Sequence, residues 1–249
     1  MKRTLLTGIT GFVGSHLAEY LLSQKVEVYG IKRWRSPLNN ISGIISRIKL
    51  HDCDLRDLSS LIHLFEGIKP DIIFHLAAQS FVPTSYTAPV DTLENNVIGT
   101  TNLLEAVRFS KIDPVIHVCS SSEVYGQVES KDIPIKEDCP FHPASPYAVS
   151  KVGEDMISYM YFVAYGLKII RTRMFTHSVS KWTPVILRDS RSGLIDIKYI
   201  SELRSAQKEG GYLSGRKLED GAQMWDMSRS NLEVWNDNKW TKINLVSSF

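Results

Sequence analysis

The sequence has little of what marks several classes of protein. Its 249 residues include only three cysteines, an odd number without paired spacing, so we expect neither a disulfide framework nor a metal site such as zinc. No apolar run approaches the roughly 20 residues that span a bilayer. The first residues contain glycines where a signal peptide has its apolar stretch. We therefore expect a cytoplasmic protein with no membrane partner.

An excess of charge of one sign is also missing. The 29 lysines and arginines nearly balance 27 aspartates and glutamates, which leaves a net charge of +2. This balance gives no lasting basic face, so nucleic acid is not an expected partner. Hydrophobic residues make up 43% of the chain, which is ordinary for a globular protein and excludes a disordered one.

Proline and histidine become rare partway along the chain. Nine of the ten prolines lie at or before Pro146, and all seven histidines lie at or before His177. Four of the five tryptophans follow residue 180. These shifts predict a boundary near residue 177, with one domain over residues 1–177 and a second over residues 178–249.

Before this boundary, short apolar runs alternate with amphipathic segments. The alternation predicts an α/β domain of the Rossmann type, a doubly wound parallel sheet with helices on both faces. The predicted strands are residues 4–7, 26–31, 48–50, 71–77, 115–120 and 167–172. The predicted helices are residues 12–23, 57–65, 93–110 and 147–165.

After the boundary the helical periodicity fades, and the pattern predicts a β-rich tail. Residues 184–187 and 194–200 are predicted strands. Residues 233–235 and 240–242 flank the sequence Asn-Asp-Asn-Lys, which predicts a hairpin. Residues 205–221 are polar and contain glycine, so we expect a surface loop there.

A glycine-rich segment, TGITGFVG over residues 7–14, lies between the first predicted strand and the first predicted helix. Gly8 permits a tight turn, Gly11 lets the backbone approach a pyrophosphate, and Gly14 allows close packing of helix on strand. The N-terminus of the helix attracts the anion. We interpret the segment, with Thr10 and Phe12, as a dinucleotide-binding turn; an ordinary tight turn is the alternative.

The second predicted strand is followed by Lys-Arg-Trp-Arg-Ser, where an acidic residue would bind a ribose 2′-hydroxyl. Arg33 and Arg35 suit a 2′-phosphate and favour NADP over NAD, although a solvated basic loop is the alternative. Asp54 and Leu55, after the third strand, are candidates for contact with adenine. The segment that ends the fourth predicted strand has small residues that would let a cofactor lie close, and its candidates are Leu76, Ala77 and Ala78.

Tyr147 and Lys151 are four residues apart and share one face of a predicted helix. A nearby ammonium lowers the pKa of a phenol, which would make Tyr147 a base at neutral pH. The segment SSSEVYG, residues 120–126, follows the fifth predicted strand. Ligands bind at this end of the strands in open α/β sheets, so both segments are candidates for one site.

Five motifs carry a family resemblance: TGITGFVG, LAAQ, NNVIGT, SSSEVYG and SPYAVSK. In type, order and spacing they resemble the extended short-chain dehydrogenase/reductase family over residues 1 to about 177, and within it the GDP-mannose 4,6-dehydratases. The resemblance implies that Tyr147 is the base and that Lys151 assists it and binds the nicotinamide ribose. It also implies that Ser121 holds the sugar 4-hydroxyl, where that group carries threonine. Pairing of two chains through the helices at 93–110 and 147–165 would give a homodimer.

Glu123 separates two reactions within this family. A 4-epimerase removes a hydride from one carbon and returns it to the same carbon. A 4,6-dehydratase also removes the C5 proton and expels the C6 hydroxyl. Glucose-type dehydratases carry Asp-Glu here, and this chain has Ser122–Glu123, as the mannose-type enzymes do. The resemblance implies oxidation at C4 by NADP⁺, loss of water across C5–C6 and hydride return to C6, which converts GDP-mannose to GDP-4-keto-6-deoxymannose. A capping or pairing role for Glu123 is the alternative.

From Ser178 onward the chain departs from that family, which continues with Thr-Gly-Pro-Arg-Arg and a substrate domain. Residues 178–249 resemble the N-terminal part of an intein instead. The resemblance implies that Ser178 attacks the carbonyl of His177 as a splicing nucleophile. No histidine follows His177 and no His-Asn pair ends the chain, so splicing would need a C-terminal partner chain. A truncated reading frame, with Ser178 an ordinary exposed serine, is the alternative.

Three functions remain open on the sequence. The first is the NADP-binding part of a nucleotide-sugar dehydratase that is completed by splicing with a partner. The second is a nucleotide-sugar epimerase or reductase whose divergent tail covers the substrate. The third is a non-catalytic NADP-binding protein whose tail recruits a partner.

Overall fold

The computed structural model describes residues 2–175 and 184–199 and five short strands at 215–217, 223–226, 232–235, 240–242 and 245–248. The chain divides into two compact units, residues 1–176 and residues 177–249.

The first unit is built on a six-stranded parallel sheet with the order β3-β2-β1-β4-β5-β6. The strands are β1 (Arg3–Thr7), β2 (Glu27–Lys32), β3 (Lys49–Asp52), β4 (Ile72–His75), β5 (Val115–Ser121) and β6 (Lys168–Met174). All six predicted strands are therefore confirmed, with ends that shift by at most two residues. The strand order reverses between β1 and β4, which is where an open α/β sheet forms its ligand crevice.

Helices connect the strands of this sheet. They are α1 (Phe12–Ser23), α2 (Leu58–Ile68), α3 (Val82–Thr87), α4 (Pro89–Leu93), α5 (Gly99–Phe109) and α6 (Pro146–Tyr165). The prediction of one continuous α-helix over residues 93–110 is wrong, because residues 94–98 form a π-helical turn between α4 and α5. This turn carries Asn96, whose buried amide bonds to Gln79 and Ser150.

The sheet has an apolar core on each face. Leu5 lies in a cluster with Leu61 and Phe65 of α2 and Leu104 of α5. Its neighbour Leu6 lies in a separate cluster on the α1 side. Successive strand residues point to opposite faces, so β1 buries the adjacent apolar residues Leu5 and Leu6 on opposite faces of the sheet. This burial fixes the carboxyl ends of the strands, where the candidate residues lie.

The second unit contains two small antiparallel sheets among its described residues, with the orders β12-β11-β7-β8 and β13-β10-β9. Their strands are β7 (Pro184–Asp189), β8 (Ile195–Tyr199), β9 (Gly215–Lys217), β10 (Gln223–Asp226), β11 (Leu232–Trp235), β12 (Trp240–Lys242) and β13 (Leu245–Ser248). The pairing of Trp235 with Trp240 confirms the predicted hairpin.

The predicted surface loop at 205–221 is wrong for residues 215–217. These residues form β9, which pairs antiparallel with β10. Backbone pairing needs no apolar side chains, so a polar composition does not exclude a short strand. The rest of that predicted loop lies outside the described residues.

Candidate functional site

The glycine segment is the turn between β1 and α1. Gly8 has a φ of +69°, in the left-handed region that favours glycine. A Cβ atom on Gly14 would lie 2.2 Å from the carbonyl oxygen of Gly8 and 2.8 Å from the Cα atom of Ile9. These contacts are with backbone that cannot move aside. Both positions therefore require glycine, and α1 packs directly on the turn.

The N-terminus of α1 carries no side-chain cap. Gly11 is the N-cap residue, and the first turn contains no acidic side chain. The backbone N–H groups and the helix dipole at this end are suited to an anionic group. Asn40 donates a hydrogen bond from Nδ2 to the carbonyl oxygen of Thr10 at 2.9 Å and ties the turn to the segment after β2. Phe12, 76% exposed, stands beside the turn.

Arg33 and Arg35 lie in the loop after β2 and line a cavity of about 580 Å³. Trp34 and Asp54 also line this cavity. The Asp54 carboxylate accepts a hydrogen bond from the Arg56 guanidinium at 2.8 Å, and this contact lowers the pKa of Asp54. Leu55 packs against the apolar core. The loop thus presents cations and an aromatic side chain at the carboxyl end of β2.

The loop after β4 is held against β1 by Thr7 and His75. The hydroxyl oxygen of Thr7 accepts hydrogen bonds from the backbone N–H groups of Leu76 and Ala77 at 3.1 and 3.0 Å. It also bonds to Nδ1 of His75 at 2.9 Å, and Nε2 of that ring bonds to Thr100 Oγ1 at 2.8 Å. Because Thr100 donates its own proton to the Asn96 carbonyl, we infer that Nε2 carries the proton of a neutral imidazole. Burial, with smaller contributions from Lys151 and His117, lowers the pKa of His75 to about 3.

Tyr147 lies in the first turn of α6. The helix begins there because Ser145 accepts a hydrogen bond from the backbone N–H of Ala148 at 3.0 Å and Pro146 occupies the first helical position. Tyr147 is buried, and no hydrogen bond to its hydroxyl occurs among the described residues. The phenol oxygen is therefore left for a ligand.

Lys151 follows one turn later and is buried, with 4% of its surface exposed. Its ammonium donates hydrogen bonds to the carbonyl oxygen of Cys119 on β5 and to Oε2 of Glu154, each at 2.7 Å. Burial alone lowers the pKa of Lys151, but the charges of Glu154 and Tyr147 outweigh it and bring the net pKa above the ordinary value. Lys151 is thus a cation at neutral pH and interacts electrostatically with the phenol of Tyr147.

Ser121 and Glu123 lie at the carboxyl end of β5. The hydroxyl oxygen of Ser121 accepts a hydrogen bond from the backbone N–H of Glu123 at 3.2 Å, so Ser121 retains its own O–H for donation. The Glu123 side chain is exposed, and its carboxylate has no hydrogen bond or ion pair with another residue in the described part of the chain. Within this range the capping role belongs to Ser121 and not to the carboxylate of Glu123.

The parallel topology brings the sequence-predicted residues to one edge of the sheet. The glycine turn, the basic loop and residues 76–78 follow β1, β2 and β4, and Ser121 and Glu123 close β5. Lys151 joins α6 to β5 through Cys119. Ser178 lies outside the described residues. Sequence reasoning missed His75, Asn96 and Glu154. Their buried side chains hydrogen-bond to residues of the site or of the adjoining loops.

Two features are absent from the described residues. Residues 2–175 and the described strands of the second unit contain no group of three or more histidine, cysteine or carboxylate side chains that could hold a metal ion. No helix in the described portion is long and apolar enough to cross a membrane.

The fold and the site define a Rossmann-type α/β protein with a glycine turn and a Tyr-Lys pair at the carboxyl edge of its sheet. A family model described as GDP-mannose 4,6 dehydratase matches residues 5–186, which is most of the chain. The chain belongs to this family.

Similar proteins agree with this assignment. The GDP-mannose 4,6-dehydratase of Yersinia enterocolitica is 36% identical over 234 residues, which cover 84% of this chain and 61% of the relative. The chain thus spans less than two thirds of that relative's length.

Solved structures share the fold. UDP-glucose 4-epimerase from Brucella ovis, in complex with NAD, has a TM-score of 0.65 and 28% identity over 71% of this chain and 52% of its own. RMD from Pseudomonas aeruginosa, complexed with NADPH, has a TM-score of 0.59 and 32% identity over 71% of this chain and 55% of its own.

Proposed function

We propose that the first unit binds NADP. Gly8 and Gly14, where no side chain fits, and the uncapped start of α1 support contact with a pyrophosphate. Arg33 and Arg35 support contact with a 2′-phosphate, because a guanidinium forms strong paired hydrogen bonds with phosphate oxygens. When bound, the nicotinamide supplies a hydride acceptor and donor.

We further propose that this site acts in the dehydration of GDP-mannose. Tyr147 takes the proton of the sugar 4-hydroxyl, the Lys151 ammonium stabilises the phenolate, and the free O–H of Ser121 donates to the 4-oxygen. Glu123 removes the C5 proton and protonates the leaving C6 hydroxyl. The observation that carries this proposal is the exposed carboxylate of Glu123 beside Ser121, without a hydrogen-bond or ion-pair partner among the described residues. The family and the Yersinia relative support the choice of nucleotide sugar.

The second candidate function is that of an epimerase or a reductase that uses the same site. The similarity to a UDP-glucose 4-epimerase favours it, since that reaction needs the tyrosine and the cofactor but no further carboxylate. A non-catalytic NADP-binding role is the third, and it predicts that Tyr147→Phe leaves the biological effect of the protein intact.

Product analysis separates these functions. An antibody to the exposed segment 129–132 would capture the protein from its native cells, and the captured protein would receive NADP⁺ and GDP-mannose. The proposed dehydratase gives a nucleotide sugar that is lighter by one water. An isomer of unchanged mass would identify an epimerase. A reductase needs NADPH and a keto sugar, so it would leave GDP-mannose unconverted in the presence of NADP⁺; either outcome would contradict dehydration.

We propose that residues 178–249 act as the N-terminal fragment of an intein, with Ser178 as the nucleophile and a separate chain as partner. The antiparallel pairing of β11 with β12 and of β7 with β8 supports this proposal. By this account the isolated chain binds NADP but turns over little substrate.

Mass spectrometry of tryptic peptides tests this proposal about the second unit. Unspliced protein from the native source yields residues 174–181, MFTHSVSK. Spliced protein yields MFTH followed by residues that this chain does not encode, with threonine first. Detection of only the unspliced peptide would contradict splicing.

We also propose a homodimer. Exposed apolar side chains on α5 and α6 support it, among them Phe109, Val149, Met160, Val163 and Tyr165. Light scattering of the purified chain should give twice the mass of one chain, and the monomer mass would contradict the pairing.

A further inference from the structure

A buried ion pair follows Tyr147 on α6. Lys151 and Glu154 are three residues apart on α6, and only 4% and 1% of their surfaces are exposed. Oε2 of Glu154 lies 2.7 Å from Nζ of Lys151. Charged pairs at this spacing usually lie on the solvated face of a helix. Removing both charges from water is costly, so the arrangement calls for a function beyond ordinary surface pairing.

The hydrogen bonds of Lys151 fix the direction of its ammonium group. An ammonium has three donors. One donor is used by the Cys119 carbonyl and one by Glu154, so one remains. Tyr147 lies one turn towards the helix N-terminus and Glu154 one turn towards the C-terminus. Glu154 therefore holds the ammonium from the C-terminal side, while the third N–H donor remains available towards Tyr147.

The other charged groups around Lys151 are already paired or neutral. Asp155, the next residue on α6, accepts hydrogen bonds from Arg171 and Arg173 of β6. On β4, His75 is neutral because burial lowers its pKa to about 3. On β5, burial raises the pKa of the Cys119 thiol, which keeps it uncharged at neutral pH. Glu154 is thus the carboxylate that hydrogen-bonds to the ammonium.

We propose that Glu154 is a positioning residue that keeps the Lys151 ammonium charged and fixed beside Tyr147. The action of this ammonium on the phenol rests on the proposed function, but the charge state of Lys151 does not. Burial lowers the pKa of Lys151 and Glu154 opposes that effect, so loss of the carboxylate leaves burial largely unopposed. Lys151 would then release its proton at a lower pH and stop assisting the phenol.

Titration of Lys151 by nuclear magnetic resonance tests the proposal in the full chain. The protein would be labelled with ¹⁵N-lysine, and the Lys151 signal would be assigned by its loss in Lys151→Arg. In Glu154→Gln, we expect the proton affinity of Lys151 to fall at least tenfold, which moves its titration midpoint down by at least one pH unit. An unchanged midpoint in the folded variant would overturn the proposal.

Two variants control this experiment. Asp113→Asn removes the carboxylate that pairs with Lys168 at the surface, where both side chains are more than half exposed. This variant should leave the midpoint of Lys151 unchanged, because the Asp113 carboxylate pairs with Lys168 and does not contact Lys151. Glu154→Asp keeps the charge but withdraws it from Nζ, so the midpoint of Lys151 should fall by less than in Glu154→Gln. If Glu154→Gln does not fold, a midpoint that stays unchanged in Glu154→Asp overturns the proposal.

Binding of NADPH to the chain, measured by calorimetry, separates this inference from the proposed function. A chain that binds no NADPH yet shows the Lys151 shift would contradict the proposed function and support this inference.

Discussion

The buried carboxylate of Asp155 on α6 forms an ion pair with the partly buried Arg173 on β6, with Oδ2 of the aspartate 2.9 Å from Nε of the arginine. Arg171 contacts the same carboxylate. Arg173 also donates hydrogen bonds to the hydroxyl of Tyr125 at 2.7 Å and to the carbonyl oxygen of Glu137 at 2.6 Å. One carboxylate thus links the helix that carries Tyr147 to the edge strand and to the segment after β5.

Asp155→Asn should destabilise the first unit. It leaves two partly exposed guanidinium groups beside a buried amide. Breaking a fully buried pair costs about 3–5 kcal/mol of unfolding free energy, so we expect a loss of about 3 kcal/mol or less here. Urea unfolding followed by helical circular dichroism reports this unit, because every α-helix of the described residues lies in it. Glu129→Gln, which breaks the exposed pair with Lys131, is the control and should leave the midpoint nearly unchanged. Equal midpoints for the two variants would contradict a stabilising role for Asp155.

Gly14→Ala should abolish the glycine turn. The added Cβ would lie 2.2 Å from the carbonyl oxygen of Gly8, so α1 must move away from the turn. We expect loss of stability and of dinucleotide binding, measured by thermal unfolding and calorimetry. Gly67→Ala in α2 is the matched control, since its added Cβ would meet no atom within 4 Å, and it should stabilise the helix by about 0.5–1 kcal/mol. Unimpaired binding by Gly14→Ala would contradict the proposed turn.

His75 should make stability depend on pH. Its pKa in the folded chain is about 3 and its ordinary value is 6.5, so between these values the unfolded chain binds a proton that the folded chain does not. The contribution of His75 to the free energy of unfolding is therefore fully present above pH 6.5. It falls by up to ~1.4 kcal/mol per pH unit as the pH drops from 6.5 towards 3. His75→Gln should flatten the pH dependence of the urea midpoint between pH 6.5 and 5. The exposed His63→Gln is the control, and an equal slope in both variants would contradict burial of a neutral His75.

Arg33→Ala should change cofactor preference. Loss of a hydrogen bond to a charged group costs about 1.5–3 kcal/mol, which corresponds to roughly a ten- to hundredfold loss of NADPH affinity. NADH affinity should hardly change, because NADH has no 2′-phosphate. Arg47→Ala removes an equal charge from the same connection between β2 and β3, outside the cavity, and serves as control. An equal loss for NADH and NADPH would contradict recognition of the 2′-phosphate.

Features that depend on neighbouring residues were predictable from the sequence. The central strands are recognisable because they bury adjacent apolar residues on both faces of the sheet, as Leu5 and Leu6 of β1 illustrate. The glycine turn is recognisable because its backbone contacts lie between residues 8 and 14. The start of α6 is equally local, since Ser145 and Pro146 cap it directly.

Features that depend on tertiary contacts were not predictable. A lysine and a glutamate three residues apart look like a solvated pair, and only the packing of α6 on β5 buries Lys151 and Glu154. The π turn at residues 94–98 is likewise tied to the bonds of Asn96 to the distant Gln79 and Ser150. Residues 215–217 form a strand through pairing with β10, which their polar composition does not indicate.

Calorimetric titration of the purified chain with NADPH tests the central claim most directly. We expect saturable binding of one NADPH per chain, weaker binding of NADH, and no binding by Gly14→Ala. Absence of binding by a folded chain to either dinucleotide would contradict the assignment of the glycine turn and the basic loop to a nicotinamide cofactor.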